Sequence, residues 1–282
     1  MQIRAIGNEG FQITHGGLDV FVDAFFHPAP HVGSAPCCTS KDITKADLIL
    51  VTHSHPDHFD AAQVEDAAKR THATVIGPAS VITRLQTKLP KESLVELEPV
   101  ASKGVRITAS RSVELPLARV TAFRTFHSSD HNSYLVEMKG FCFFHDGDNE
   151  DTRRIDRGAL GRIDALFIAT WQGAAWAEFI EAVQPSRWFL MHMTDEELAE
   201  HRKGAYLPDL CDHIPLPDKL VALSPGQSYE MSSPAVTEAR RHPPRMFGAG
   251  ERDCGETQCV SPQSLAPARQ AGRGRSAPHN EA

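Results

Sequence analysis

Three histidines and one aspartate crowd into the run Thr52-His53-Ser54-His55-Pro56-Asp57-His58. Neutral imidazole is the commonest protein metal ligand. A set that mixes imidazole with carboxylate suits zinc, with manganese or iron as alternatives. One histidine alone is ordinarily a surface or core residue. Four ligand-type side chains in so short a run at the end of an apolar stretch read instead as a metal site.

That stretch, Asp47-Leu48-Ile49-Leu50-Val51, reads as a strand, and residues 61–70 beyond the run read as a helix. If strand geometry persists, His53 and His55 point the same way. A turn at Pro56 then brings Asp57 and His58 round from a second direction, which suits two adjacent ions. Further strands are expected at 18–26, 73–78, 104–109, 119–127, 164–171, 186–192 and 219–226. Residues 132–146 read as two strands joined by a tight turn at Lys139-Gly140. Helices are expected at 80–89 and 174–183, the second stopping before Pro185. Strands followed by alternating strand and helix imply sheet layers covered by helices.

The 282 residues are 41% hydrophobic and 23% charged, enough for a sizeable core in a soluble globular protein. A net charge of −7 argues against a general nucleic-acid binder. The six cysteines (Cys37, Cys38, Cys142, Cys211, Cys254 and Cys259) lack zinc-ribbon spacing and read as free thiols in a reducing compartment. The opening residues show no secretory h-region, and no apolar run approaches the roughly 18–20 residues of a membrane span. A cytoplasmic location is therefore expected. Past residue 232 the chain turns rich in Pro, Gly and Arg without apolar periodicity. Residues 1–232 are expected to form the domain, and 233–282 a disordered tail.

The pattern His53-x-His55-x-Asp57-His58 resembles the His-x-His-x-Asp-His signature of the metallo-β-lactamase superfamily. The opening IGNEGFQITHGGLDVFVDAFF is similar to the first hairpin of its lactonase-like (ascorbate-6-phosphate lactonase-type) branch. There a buried Asp ends the hairpin's second strand, and Asp23 stands at that place. The resemblance implies an α/β fold: a four-layer αβ/βα sandwich with two facing β-sheets and helices outside. It also implies two divalent ions, with His53, His55 and His127 on the first, Asp57, His58 and His192 on the second, and Asp148 bridging. His131 competes with His127 for its place, and Asp146 with Asp148. Asp23, His145 and Asp146 are expected to support the ligands from behind, because metal-bound imidazoles need a hydrogen-bond partner.

The activity this implies is a metal-dependent hydrolase. Two ions (zinc first, manganese or iron as alternatives) would share a water of lowered pKa. The resulting bridged hydroxide would attack an ester, lactone or phosphoester of a small molecule, with Asp57 as the catalytic carboxylate that orients it. Two rivals use the same scaffold: a mononuclear iron sulfur dioxygenase, and a non-catalytic metal-binding relative. Metal identity separates the first from the hydrolase, and chelator-sensitive turnover separates the second. The loop carrying His27, His31, Cys37 and Cys38 is expected near the pocket mouth, and Trp171, Gln172 and Gly173 are candidates to line the pocket. His72, His201, His213, His242 and His279 read as ordinary surface histidines. No nucleic-acid or membrane partner is expected, and a homo-oligomer is left open.

Overall fold

The computed structural model describes residues 1–28, 32–100, 107–170 and 175–232. Strands β11 (Ala165–Ala169) and β12 (Arg187–Met191) are apolar and almost wholly buried, as strands covered on both faces must be. Side chains alternate across them. Phe167, Ala169, Phe189 and Met191 enter one apolar layer, and Leu166, Ile168, Trp188 and Leu190 enter another. The same alternation in β3 (Leu18–Val22) sends Leu18, Val20 and Val22 inward and Phe21 outward.

The first sheet contains β1 (Gln2–Gly7), β2 (Gly10–His15), β3, β4 (Leu48–Leu50), β5 (Thr74–Gly77), β6 (Leu94–Glu96) and β14 (Ser228–Glu230). Its order is β14-β1-β2-β3-β4-β5-β6. The second contains β7 (Ser110–Glu114), β8 (Arg119–Arg124), β9 (Asn132–Met138), β10 (Phe141–His145), β11, β12 and β13 (Leu220–Ala222), in the order β13-β12-β11-β10-β9-β8-β7. Pairing is parallel from β3 to β6 and from β10 to β13, and antiparallel elsewhere.

The two sheets share a central core that includes Ile13, Val20 and Leu50 from one side and Val120, Phe143 and Phe167 from the other. Helices α1 (Ala61–Thr71) and α2 (Ala79–Leu85) cover the outside of the first sheet through Val64, Ala67, Val81 and Leu85. Helices α3 (Trp176–Val183) and α4 (Asp195–Arg202) cover the second through Trp176, Phe179, Ile180 and Leu198. This is the four-layer sandwich with two facing sheets that the resemblance implies. No helix among the described residues is long and apolar enough to cross a membrane.

Several expected elements end early. β4 stops at Leu50 and β8 at Arg124, so the histidines beyond them sit in loops rather than on strands. α2 stops at Leu85 rather than Leu89, where the chain closes into a turn through Lys88 N–H and Leu89 N–H on Leu85 O. In the described part of 104–109, residues 107–109 form no strand. Ile107 is 53% exposed, and pairing with β8 begins at Ser110. Helix α4, unannounced by apolar spacing, is held by a capping box in which Thr194 and Glu197 exchange hydrogen bonds. The Lys139-Gly140 turn is as expected, both residues at positive φ. The expected tail and the readings of His31, Trp171, Gln172, Gly173, His242 and His279 lie outside the described residues.

Candidate metal centre

The centre is built from Asp23, which follows β3 at φ 43° and is fully buried. Its Oδ1 accepts from Thr52 N–H at 2.8 Å and its Oδ2 from the Thr52 hydroxyl at 2.6 Å. That hydroxyl has one proton to give, so it accepts in turn from His53 Nδ1, 2.9 Å away. Asp23 Oδ2 also lies 3.1 Å from His58 Nδ1, which donates to it. One carboxylate thus orients two histidines, and leaves Nε2 of each facing the same space. Helix α1 begins directly behind, capped by Asp60, whose Oδ1 accepts from Ala62 N–H and Gln63 N–H.

The second sheet brings its residues to the same space. His127 lies beyond β8, with Nδ1 2.9 Å from Glu150 Oε1 and Nε2 3.3 Å from His55 Nδ1. His192 follows β12 at φ 57°. Asp148 follows β10 and stands between all of them. Its Oδ2 is 3.8 Å from His53 Nε2, 3.4 Å from His58 Nε2 and 3.3 Å from His127 Nε2, while its Oδ1 is 3.3 Å from His192 Nε2. Asp57 Oδ2 lies 3.3 Å from His58 Nε2 and 3.7 Å from His192 Nε2. Two groups result: His53, His55, His127 and Asp148, and beside them Asp57, His58 and His192, with the candidate ligand atoms of each group within 4.8 Å of one another.

The electrostatics fit divalent cations. Burial, then the neighbouring His58, pushes His53 down to about 3, so it is a neutral imidazole of the kind a metal binds. His53 Nε2 is buried and has no hydrogen-bond partner among the described residues. Burial alone would raise Asp57, but its contacts with His192 and His58 outweigh this and hold it well below the usual carboxylate range. Burial also opposes charge on His58. The carboxylates of Asp148, Asp23 and Asp57 nonetheless hold it well above its usual range. A dication would displace that proton and take over the positive charge.

His131, the alternative to His127, faces elsewhere. Its Nδ1 lies 2.8 Å from the Thr125 hydroxyl, and its Nε2 accepts from Asp148 N–H at 2.9 Å. It positions the backbone of Asp148. Gly147 is required at the approach, since at φ 60° an added Cβ would meet His131 Nε2 at 2.5 Å. Asp146, the alternative to Asp148, is turned away into a buried network. Its Oδ1 accepts from Asn149 Nδ2 at 3.1 Å, and burial lifts its carboxyl to about 8. Asp23 supports His58 directly and His53 through the Thr52 hydroxyl, whereas Asp146 reaches the site through Ser133, Thr125 and His131. His145 donates to Glu9 O at 3.0 Å and packs on Phe167, so it holds the turn after β1 rather than a ligand. Of the expected mouth loop, His27 pairs with Asp60 at 3.1 Å, while Cys37 lies against Arg4 and Gly226.

Three carboxylates escape the sequence reading. Glu9 is fully buried beside His58 and Asp148. Glu150 backs His127. Asp130 gathers Ser54 N–H, the Ser80 hydroxyl and the Ser128 hydroxyl, fixing the loop between His53 and His55. Glu150 was open to suspicion two residues after Asp148, but Glu9 and Asp130 carry no spacing signal.

A family model described as "Beta-lactamase superfamily domain" matches residues 18–204, and the chain belongs to that family. A UPF0173 metal-dependent hydrolase of Nitratidesulfovibrio vulgaris (strain Hildenborough) is 28% identical over 241 residues, covering 80% of this chain and 93% of the relative. Among solved structures, the metallo hydrolase Igni18 of Ignicoccus hospitalis superposes with TM-score 0.59 at 16% identity, covering 82% of this chain and 99% of its own. CmlA, a diiron β-hydroxylase from Streptomyces venezuelae, superposes with TM-score 0.57 at 15% identity, covering 82% of this chain and 54% of its own. At such identities the likeness of the structures shows the fold alone, and hydrolase and hydroxylase share it.

Proposed function

We propose that this metal-dependent hydrolase of the metallo-β-lactamase fold works with two divalent ions on an ester, lactone or phosphoester of a small molecule. The observation that carries the reading is Asp148, which stands between the two ligand groups, 3.3 Å from His127 of the first and 3.4 and 3.3 Å from His58 and His192 of the second. His53, His55 and His127 would hold one ion, Asp57, His58 and His192 the other, with Asp148 between. Zinc suits the imidazole-rich group, and manganese or iron are the alternatives. Ions there would supply a water of lowered pKa and positive charge against an oxyanion developing on the substrate. Asp57 is the side chain placed to orient or take a proton: it is held ionised, and its side chain is 15% exposed while His58 and His192 beside it are buried. The lactonase-like branch favours an intramolecular ester first.

The test is elemental mass spectrometry of protein purified without chelator or metal-affinity resin, followed by turnover of lactones and phosphodiesters. About two zinc or manganese per chain, with turnover abolished by chelator, supports the reading. One iron per chain with no second metal moves the assignment to a mononuclear sulfur dioxygenase. Failure to bind metal after reconstitution overturns both. Asp57→Asn is expected to cut turnover on the order of 100-fold or more, that figure being the lower end for a positioned acid–base group, while shifting the melting temperature little. Near-normal turnover would remove Asp57 from its role.

A further inference from the structure

Glu9 sits in the turn Gly7-Asn8-Glu9-Gly10 between β1 and β2 and is 0% exposed. Neither of its carboxylate oxygens has a hydrogen-bond partner among the described residues. Its Oε2 lies 3.6 Å from His58 Nδ1, the ring edge that also meets Asp23, and Glu9, His58 and Asp148 each offer a ligand atom within 4.8 Å of the others. Glu9 and Asp148 are two acceptors facing one another. A buried carboxylate without a donor is costly, and a cation is one of the few groups that satisfies two facing carboxylates at once.

The turn is fixed where it is. An added Cβ on Gly7 would come 2.6 Å from Ala35 O, and one on Gly10 would come 2.9 Å from Asp23 O. Asn8 then stitches the turn to the second ligand group: its Nδ2 donates to Asp57 O at 3.1 Å, and its O accepts from His192 N–H at 3.2 Å. From the other side His145 Nε2 donates to Glu9 O at 3.0 Å. The backbone that carries Glu9 is therefore held by the same residues that flank the second ion's position.

We propose that Glu9 is a further ligand of the second ion, alongside Asp57, His58, His192 and the shared Asp148. The proposal rests on the two-ion reading. It makes the two positions chemically unequal. The first has three imidazoles and a shared carboxylate, and the second has three carboxylates and two imidazoles. Oxygen-rich sets favour manganese over zinc, and imidazole-rich sets the reverse, so the chain takes zinc at the first position and manganese or iron at the second.

The experiment titrates the full chain, stripped of metal, with Mn(II) followed by electron paramagnetic resonance and with Zn(II) by calorimetry, for the wild type, Glu9→Gln and Glu9→Ala. Two ions are expected on the wild type. In Glu9→Gln one ion keeps its affinity, and the other weakens by at least the roughly 10–100-fold that loss of an outer-shell partner costs. The manganese preference goes with it, and Glu9→Ala goes further. In chelator, Glu9→Gln is expected to melt no lower than the wild type, because it replaces a buried carboxyl that lacks a donor with a neutral amide of the same shape. Two ions on Glu9→Gln with unchanged affinity and selectivity would overturn the proposal and leave Glu9 sharing a proton with Asp148. Fewer than two ions on the wild type would overturn the two-ion reading itself, and this proposal with it.

Discussion

His58 and His127 both turn Nε2 toward Asp148, and each is held from behind by a carboxylate on Nδ1. For His58 that carboxylate is Asp23, 3.1 Å away, with neither side chain exposed at all. For His127 it is Glu150, 2.9 Å away, with the acid 41% exposed. The contacts are alike in length and unlike in surroundings. Charge pairs in water are worth little, whereas removing one member of a buried pair strands the other. Asp23 also serves Thr52 and, through it, His53, while among the described residues the Glu150 side chain serves His127 alone. The floor of the centre is therefore set when the sandwich forms, and the rim by a loop partly open to solvent.

The sharpest way to break this contrast is Asp23→Ala. It leaves Thr52 N–H, the Thr52 hydroxyl and His58 Nδ1 without their acceptor. The expected cost is about 3–5 kcal/mol of stability in chelator, together with roughly 10–100-fold weaker binding of both ions, read by thermal melting and zinc titration. Asp130→Asn comes next. Burial would raise Asp130, but the Ser128, Ser80 and Ser54 contacts outweigh it and hold the carboxyl below its usual range. A carboxyl depressed in the folded state stabilises above its unfolded value and loses that contribution as pH falls through the folded one. The variant should melt about 2–4 °C below the wild type at pH 7, for a loss of about 1 kcal/mol. The gap should close as pH drops below about 4, and a gap independent of pH would assign it to packing instead. Smallest is Glu150→Ala, with a stability change within about 0.5 kcal/mol and a slight weakening confined to one ion. If it matched Asp23→Ala, floor and rim would not differ.

The sequence made the His53–His58 run legible because four ligand-type side chains adjoin there. His127, Asp148 and His192 were legible only in family order, each being an unremarkable residue in its own surroundings. The expected route to convergence was also off. β4 ends at Leu50, so His53 and His55 meet through hydrogen bonds to Asp23 and Asp130 rather than through strand alternation. Those bonds join residues tens of positions apart, which no local pattern encodes. Glu9 is hidden for the same reason, and its neighbours along the chain are glycine and asparagine, the usual furniture of a turn. The buried strands were clear because both of their faces are apolar. The short β14 was not, since Ser228 and Glu230 are exposed and Tyr229 between them packs on the core without any run of apolar neighbours.

The centre draws on both halves of the sandwich. The turn carrying Glu9, Asp23 and the His53–His58 loop hang from the first sheet; His127, Asp148 and His192 hang from the second. Ions held between them would rivet the sheets together at one end, as a cross-link joins two plates. Such a rivet exists only in the folded chain, so it adds to the barrier against coming apart. A chelator should then shorten the lifetime of the fold as well as silence the enzyme, and the protein's persistence would follow the supply of metal.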